Sequence, residues 1–267
     1  MTTPHDAVDW LTRSEHRVEV LEALAEGRRS RSELQELTGV SRVTSNRMLA
    51  ELGDRDWIRR DSQGYEITPT GRLVIEDLGR LSDTTATGQK LGDIQQYLPT
   101  GEFGFDLRRL GESRVTRPTE ADTLAPLSRS ATLMRQATQR FTPLVVNVDR
   151  LHTREAGEIE AVETIEAVLT TDVMETILAD SAMREDTISA FDRGFNFYLY
   201  EGSAPITFTL LDDTVGFELN DGSGFVPTLI EADDPEVLKW AENTYDRYKR
   251  QSTPLDVDDF RVSATNG

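Results

Sequence analysis

The 267-residue chain lacks cysteine and contains very little lysine. The absence of cysteine excludes a disulfide framework, a thiolate metal site and a cysteine nucleophile. Only three of the 29 basic residues are lysines, namely Lys90, Lys239 and Lys249. No apolar run approaches the ~18 residues of a membrane span, and the polar start MTTPHDAVDW has no basic–apolar signal pattern. We therefore expect a cytoplasmic protein with no membrane partner.

Acidic residues dominate the charge of the chain, with 48 Asp and Glu against 29 Lys and Arg, a formal net charge of −19. This composition is typical of a halophilic proteome, because a strongly negative surface stays soluble in salt. An ordinary acidic protein is the alternative. The segment from Arg28 to Arg72 differs, since it holds nine Arg and seven Asp or Glu. This basic island is a candidate surface for an anionic partner, although its arginines would also suit surface ion pairs.

Apolar spacing and turn residues predict a winged helix-turn-helix in the N-terminal third. Gly27, Gly39 and Gly53 mark three helix ends, and the turn Asp61–Gly64 joins two short strands. The predicted elements are helices at 9–26, 32–38 and 42–52, strands at 57–60 and 65–68, and a helix at 72–81. Helix, helix–turn–helix, hairpin and helix follow one another in the order of a winged helix.

The third of these helices combines an apolar face with a basic, polar one. Its predicted inward residues have the i, i+3, i+4, i+7 spacing of a buried stripe: Ser45, Met48, Leu49 and Leu52. Its predicted outward residues form a candidate major-groove reader: Arg42, Val43, Asn46 and Arg47. Arginine can pair with guanine, asparagine with adenine, and valine can touch a thymine methyl. The alternative is that Arg42 and Arg47 pair with helix acids such as Glu51.

Residues at the helix start and on the hairpin extend this predicted DNA-binding surface. Ser41 can cap the helix and offer its hydroxyl or backbone N–H to a phosphate. Arg59, Arg60 and Gln63 lie on the hairpin, where a wing would follow the DNA backbone or the minor groove. The ordered series SRSELQELTGVS, SRVTSNRMLAEL, WIRR and YEITPTG resembles bacterial and archaeal winged-helix regulators of the MarR/ArsR type, over about residues 5–80.

Composition shifts divide the chain into four predicted segments. These are the winged helix (1–80), a helical connector (81–100), an α/β effector or sensor domain (101–256) and a flexible tail (257–267). A helix break is expected at Thr84–Gly88, followed by an apolar stripe of Leu91, Ile94 and Leu98. This stripe predicts a dimerisation helix, and packing on the chain's own wing domain is the alternative.

The third segment alternates helical and strand patterns, so the predicted fold class is α+β. Apolar and polar residues alternate over 195–200, 206–210 and 215–219, which predicts an antiparallel meander. The apolar positions are predicted core. The residues on the predicted polar face could line a small-molecule pocket, or could meet solvent or a second protomer: Asn196, Tyr198, Tyr200, Thr207, Thr209 and Glu218.

Stretches such as TIEAVLTTDVMETIL and FNFYLYEGSAPITFTLLDDTVGFELNDGSG resemble the second domain of archaeal regulators, of the kind found in methanogenesis-regulatory proteins and haloarchaeal paralogues. The resemblance implies a degenerate phospholipase-D-like sheet that senses or assembles rather than catalyses. The sequence around His152 departs from a phospholipase motif, because Arg154 stands where Lys belongs and no second copy exists.

Motif searching predicts no catalytic residue, no metal ligand and no cofactor. The chain has no Gly-rich phosphate loop, no HExxH pair and no GxSxG elbow. The acidic pairs at 212–213 and 233–234 are better explained as Asx turns and helix caps than as metal ligands. The predicted function is a homodimeric regulator that binds double-stranded DNA, with a small-molecule effector as a further partner. The alternatives are an enzyme with a regulatory DNA-binding arm and a protein–protein adaptor whose winged helix no longer binds DNA.

Overall fold

The structure, a computed structural model, describes residues 3–159, 162–219 and 228–261. The chain divides into two units, Met1–Thr85 and Ala86–Gly267. The boundary lies inside a continuous helix, Pro69–Leu91, so the predicted break at Thr84–Gly88 is wrong. The hydroxyls of Thr84 and Thr85 donate to the carbonyls four residues earlier, at 2.7 and 2.9 Å, which lets threonine remain within a helix.

The first unit contains the predicted order of helices and strands. Its elements are α1 (Pro4–Thr12), α2 (Glu15–Glu26), α3 (Arg31–Thr38), α4 (Arg42–Gly53), β1 (Ile58–Asp61), β2 (Gly64–Ile67) and α5 (Pro69–Leu91). The helix predicted over 9–26 is two helices, because the backbone at Ser14 is extended. Strands β1 and β2 pair antiparallel, and a bridge from Arg29 to Tyr65 adds a third short segment.

Apolar side chains from the helices and the hairpin form one core in this unit. Leu21, Leu34, Leu52 and Ile58 are buried in it, together with Trp57. The reciprocal capping box of Ser30 and Glu33 begins α3, and Gly39 ends it with φ 64°. The helix caps and this shared core fix the position of α4 within the first unit. The first unit is therefore the winged helix-turn-helix that the sequence predicts.

The second unit is a sheet covered by helices. Its strands are β3 (Arg114–Thr116), β4 (Arg140–Val145), β5 (Thr164–Thr170), β6 (Asn196–Tyr200), β7 (Thr207–Leu211), β8 (Thr214–Leu219), β9 (Thr228–Ala232) and β10 (Thr253–Pro254). Its helices are α6 (Ala125–Gln136), α7 (Arg150–Glu158), α8 (Thr171–Ala179), α9 (Ser181–Asp192) and α10 (Pro235–Arg250). Short 3-10 helices lie at Gly92–Tyr97, Leu107–Leu110 and Val257–Asp259. Among the helices of the described ranges, none combines the length and the apolarity that crossing a membrane requires.

Within the described residues these strands form one mixed sheet in the order β10-β6-β5-β4-β7-β8-β9-β3. Strands β4, β5 and β6 are parallel, whereas β7, β8 and β9 form the antiparallel meander. Strand β6 therefore pairs with β5 and not with β7, contrary to the predicted meander. The helical crossovers between β4, β5 and β6 explain this, because parallel neighbours need such connections.

Each face of the sheet carries its own apolar core. One face packs against α10 and includes Leu144, Val168, Phe208 and Phe217. The opposite face carries Phe141, Ala167, Leu169 and Phe197, together with apolar residues of α6, α8 and α9. The second unit therefore has the layered helix–sheet–helix arrangement of an α+β chain.

Two sequence expectations fail because apolar residues are buried within the second unit. The stripe of Leu91, Ile94 and Leu98 lies in the α10-side core and leaves no free apolar helix face for dimerisation there. In the predicted flexible tail, Val257–Asp259 is a 3-10 helix and Phe260 is 1% exposed in the opposite core. Residues 262–267 of that tail lie outside the described residues.

Candidate functional site

Helix α4 presents the face that the sequence assigns to DNA. The hydroxyl of Ser41 accepts a hydrogen bond from the Thr44 amide at 3.2 Å, so it caps the helix as expected. The residues predicted to point inward are all buried: Ser45, Met48, Leu49 and Leu52. On the opposite face Arg42 and Arg47 are exposed, and the Val43 side chain is 79% exposed.

The two arginines of this face have no acidic partner among the described residues. Neither the Arg42 nor the Arg47 side chain makes a hydrogen bond or a salt bridge with that part of the chain. Glu51, the acid that the alternative interpretation would pair with them, instead lies 3.8 Å from the Arg17 guanidinium. The backbone carbonyl of Glu51 also accepts a hydrogen bond from Arg55 at 2.8 Å. Both guanidinium groups of the α4 face are therefore available to an external acceptor.

Asn46 departs from the predicted reader surface. Its side chain is half-buried, and its Oδ1 atom is buried without a hydrogen-bond partner among the described residues. A contact with an adenine edge would require this side chain to rotate outward. The exposed reader surface consists of Arg42, Val43 and Arg47, and we name these three residues the α4 face.

The hairpin has its own charge network. Glu66 of β2 accepts a hydrogen bond from Arg28 at 2.7 Å and another from Arg59, and these bonds lower the pKa of its carboxyl group. Arg28 also lies 2.9 Å from Asp61 and donates to the side-chain oxygen of Gln63. The charge of Arg59 and the amide of Gln63 are therefore engaged within the hairpin.

Arg60 is the exposed hairpin cation that this network leaves out, and its guanidinium carbon lies 5.8 Å from the centre of the Tyr65 ring. The sequence prediction omitted Arg28, although the basic island begins with this residue. Only the fold brings it against a hairpin more than thirty positions away.

A second site lies in the C-terminal unit, where polar side chains meet on the sheet face opposite α10. The Nδ1 atom of His152 lies 2.6 Å from Asp149 Oδ2, and Asp149 caps α7. The other ring nitrogen, Nε2, lies 3.0 Å from Ser130 Oγ and 3.2 Å from Glu218 Oε1. Ser130 donates to Glu218 Oε1 at 2.8 Å. We name these four residues the His152 cluster.

The protonation state of His152 decides what this cluster can do. Burial lowers the pKa of His152, but Glu218 and Asp149 outweigh burial and raise that pKa well above 6.5. This raised pKa favours the imidazolium form, in which one N–H is directed to Asp149 and the other to Ser130 and Glu218. In that form the ring cannot accept the proton of Ser130.

A cavity of about 80 Å³ adjoins the cluster. Of the six residues predicted to line a pocket, Thr207, Thr209 and Glu218 line this cavity. No group of three or more His, Asp and Glu side chains within the described ranges is arranged to hold a metal ion.

The other three predicted pocket residues, Asn196, Tyr198 and Tyr200, lie on the opposite sheet face, so their assignment to one pocket is wrong. The strand register explains the error: Tyr198 is level with Val168, Val168 with Leu144, and Leu144 with Phe208, which faces α10. Alternation within one strand does not reveal which face a neighbouring strand's polar residues share.

Sequence reasoning missed the His152 cluster, which it considered only as an incomplete phospholipase motif. The spacing Asp149-x-x-His152 at a helix start was a detectable local signal. Glu218 and Ser130 lie 66 and 22 residues from His152, so no sequence pattern joins them.

Comparison with protein families gives matches in both parts of the chain. Residues 5–90 match the model of the HVO_A0261 N-terminal domain, and residues 124–251 match that of the middle domain of the methanogenesis regulatory protein FilR1. A search of curated proteins gives no match.

Solved structures that resemble the chain are distant from it. One is TrmBL2, described as an archaeal chromatin protein with a novel mode of DNA binding; it is 13% identical, with 95% of this chain and 100% of that chain covered and a TM-score of 0.38. Another is the calicheamicin-biosynthesis methyltransferase CalO1, 14% identical over 74% of this chain and 78% of that chain, with a TM-score of 0.22. Because both scores are low, the assignment depends on the two family matches. The chain therefore joins an HVO_A0261-type N-terminal domain to a FilR1-type middle domain, the architecture of an archaeal winged helix-turn-helix transcriptional regulator.

Proposed function

We propose that this regulator is a cytoplasmic homodimer that binds specific duplex DNA sites through the α4 face. Each guanidinium can donate two hydrogen bonds to the O6 and N7 atoms of guanine, and Val43 can contact a thymine methyl. Ser41, at the N-terminus of α4, offers a phosphate contact, and Arg60 offers another from the hairpin. The C-terminal unit acts as a non-catalytic effector domain.

The observation that carries this proposal is the pair of unpartnered guanidinium groups on the α4 face. The chain has 48 acidic residues, and many of its other arginines make ion pairs. Two exposed arginines with an exposed valine between them suit a groove that offers hydrogen-bond acceptors and a methyl group. Arg59 is a weaker candidate than the sequence suggests, because Glu66 neutralises its charge.

Exposed apolar residues of the first unit support the dimer. Val8 of α1 is 48% exposed, and Leu73 and Leu81 of α5 are 62% and 59% exposed. Val8 and Leu81 also line a groove between α1 and α5. A second copy of the chain covering this surface would bury these side chains and would present two α4 helices to a two-fold symmetric site.

Arginine substitution on the α4 face tests the proposal. Selection from a random duplex library should first yield a site bound by the full chain. Arg42→Ala and Arg47→Ala should then each weaken binding by about 1–3 kcal/mol and relax the preference at one base position. Fluorescence anisotropy measures the affinity. Arg13→Ala is the matched control, because Arg13 is an exposed arginine of the same unit that pairs with Asp9. Unchanged binding by the double variant would overturn the assignment of α4.

The adaptor function remains a second candidate because the net charge of −19 repels DNA over long distances. If the protein is an adaptor, library selection should yield no duplex. Arg42 and Arg47 should then be needed to capture a protein partner. Hydrogen exchange of α4 separates the two candidates, since added DNA should protect this helix only if it binds the duplex.

A further inference from the structure

The cavity beside the His152 cluster is large enough for a small organic molecule. Its volume is about 80 Å³, whereas one ordered water needs roughly 10–15 Å³. Rings and aliphatic groups from the sheet and helices form most of its wall, among them Phe141, Leu169, Ile177, Phe195 and Phe197. An apolar chamber with a few polar groups at one side is typical of a ligand site.

Several polar groups of the wall have bonding capacity left. Glu218 Oε1 accepts from Ser130 and faces His152, but Oε2 of the same carboxylate has no partner among the described residues. The Thr209 hydroxyl likewise has no hydrogen-bond partner within the described ranges. The Thr207 hydroxyl accepts from the amides of Val146 and Asn147 at 3.0 and 3.3 Å, which leaves its own proton to donate. Thr207 and Glu218 are directly opposite each other on β7 and β8, and Thr209 is two residues along β7, on the same face.

The charge of the cluster favours one kind of head group. Asp149 and Glu218 are carboxylates and His152 is a single imidazolium, so one negative charge is left without a cation. The nearby arginines are engaged elsewhere, since Arg129 pairs with Glu231 and Arg135 with Glu155. The Glu218 side chain is 14% exposed and lines the cavity, and it shares its imidazolium partner with Asp149. A carboxylate in so poorly solvated a site attracts a further cation, and aromatic rings nearby add to that attraction.

We propose that this cavity binds a small primary amine with an aromatic or branched aliphatic body. The ammonium group donates to Glu218 Oε2 and to the Thr209 hydroxyl oxygen, and the apolar body lies among the phenylalanine rings. The proposal concerns the second unit alone and does not depend on DNA binding by α4. Its test contains no DNA, so either proposal can fail while the other stands.

Three probes with the same ring and different head groups test the proposal on the full chain: benzylamine, benzyl alcohol and benzoate. Binding is followed by protein NMR shifts up to about 20 mM, the affinity range expected of so small a ligand. Benzylamine should bind about tenfold more tightly than benzyl alcohol, and benzoate should not bind. Tighter binding of benzoate than of benzylamine, or no binding of benzylamine, would overturn the proposal.

Substitutions test which side chains produce the preference for an amine head group. Glu218→Gln should reduce benzylamine affinity to that of benzyl alcohol, and Thr209→Val, nearly identical in shape, should weaken benzylamine several-fold. Glu231→Gln is the matched control: Glu231 is a buried carboxylate of the same sheet face that pairs with Arg129 and does not line the cavity. Thermal unfolding of each variant shows whether it folds. Should Glu218→Gln fail to fold, Thr209→Val decides, and unchanged benzylamine affinity in that folded variant would contradict the proposed site.

Discussion

At the scale of single residues, Asp212 shows how one carboxylate can organise a turn. Its side chain accepts hydrogen bonds from the backbone amides of Thr138, Gln139 and Arg140, at 2.8–3.2 Å. Burial raises the pKa of Asp212, but these amides outweigh burial and lower it below the usual value. The Asp212 backbone has φ 48°, a conformation that Asp tolerates better than most residues. The acidic pair at 212–213 therefore contributes a structural carboxylate.

The His152 cluster makes stability depend on pH in both directions. The pKa of His152 is raised in the folded state, so its contribution is fully present below about 6.5 and is lost as pH rises through the folded value. The pKa of Glu218 is lowered: burial opposes this shift, but His152 and Ser130 outweigh burial. Its contribution is present above about 4.5 and is lost as pH falls. The cluster therefore stabilises the fold most between these two limits.

Replacement of His152 tests this dependence. We expect His152→Gln to lower the unfolding midpoint of the second unit most at pH 5–6, where the imidazolium and both carboxylates are charged together. The difference from the unmodified chain should shrink as pH rises above about 6.5, because His152 then loses its proton in the unfolded chain and, at higher pH, in the folded chain as well. Thermal denaturation across pH 4–10 at constant salt measures it. A difference that stays the same at every pH would rule out a charged His152 in the fold.

At the scale of elements, the start of α5 is locked against the hairpin. The Gly71 amide donates to the Thr68 hydroxyl at 3.0 Å, and that hydroxyl donates to the Asp56 carbonyl at 2.6 Å. A Cβ atom at Gly71 would overlap the carbonyl oxygen of Trp57. Only a residue without a side chain fits at this contact, which fixes the direction in which α5 leaves the hairpin.

Two glycine substitutions within α5 should therefore have opposite effects. Gly71→Ala should destabilise the first unit by about 1–3 kcal/mol, because the added methyl group pushes the backbone at residue 71 away from the Trp57 carbonyl. Gly79→Ala is the control in the same helix, where an added Cβ meets no atom within 4 Å. It should stabilise by up to about 1 kcal/mol through helix propensity. Chemical denaturation followed by far-UV circular dichroism measures both, and equal stabilities would contradict the Trp57 contact.

The sequence predicted some helices and strands correctly and others not. The inward face of α4 was predictable because helix periodicity is local and its four apolar or small positions repeat in register. The pairing of β6 with β5 was not predictable, since an alternating strand carries no mark of its neighbour. The break between α1 and α2 was also missed, because the residues at the break, Arg13 and Ser14, are neither glycine nor proline.

At the scale of the whole molecule, charge is distributed unevenly along the chain. The segment from Arg28 to Arg72 has a slight positive excess, whereas the chain as a whole carries −19. In dilute buffer this net charge opposes approach to DNA, but at molar salt the Debye length falls to about 3 Å and the repulsion is screened. Base contacts from the α4 face act at short range and survive that screening.

We therefore expect DNA affinity to depend weakly on salt. A basic protein with many phosphate contacts loses roughly 30-fold or more in affinity for each doubling of salt. This chain should lose less than about tenfold per doubling, since Arg28, Arg29 and Arg59 of the basic island already pair with carboxylates and are less available to phosphates. Anisotropy titrations with the selected duplex between about 0.5 and 2 M KCl, where long-range charge interactions are largely screened, measure the slope. A steep loss of affinity across this range would refute short-range recognition.

The amino-acid sequence by itself determined the winged helix-turn-helix and the α+β class, because caps, glycine stops and apolar spacing act over a few residues. It also determined which side of α4 is apolar. Only the tertiary structure decided that Tyr198 and Thr209 face opposite ways and that His152 meets Glu218, since these relations depend on strand register and on long-range packing. The charged groups of the His152 cluster come from positions far apart in the sequence, and only the folded sheet and its helices bring them together.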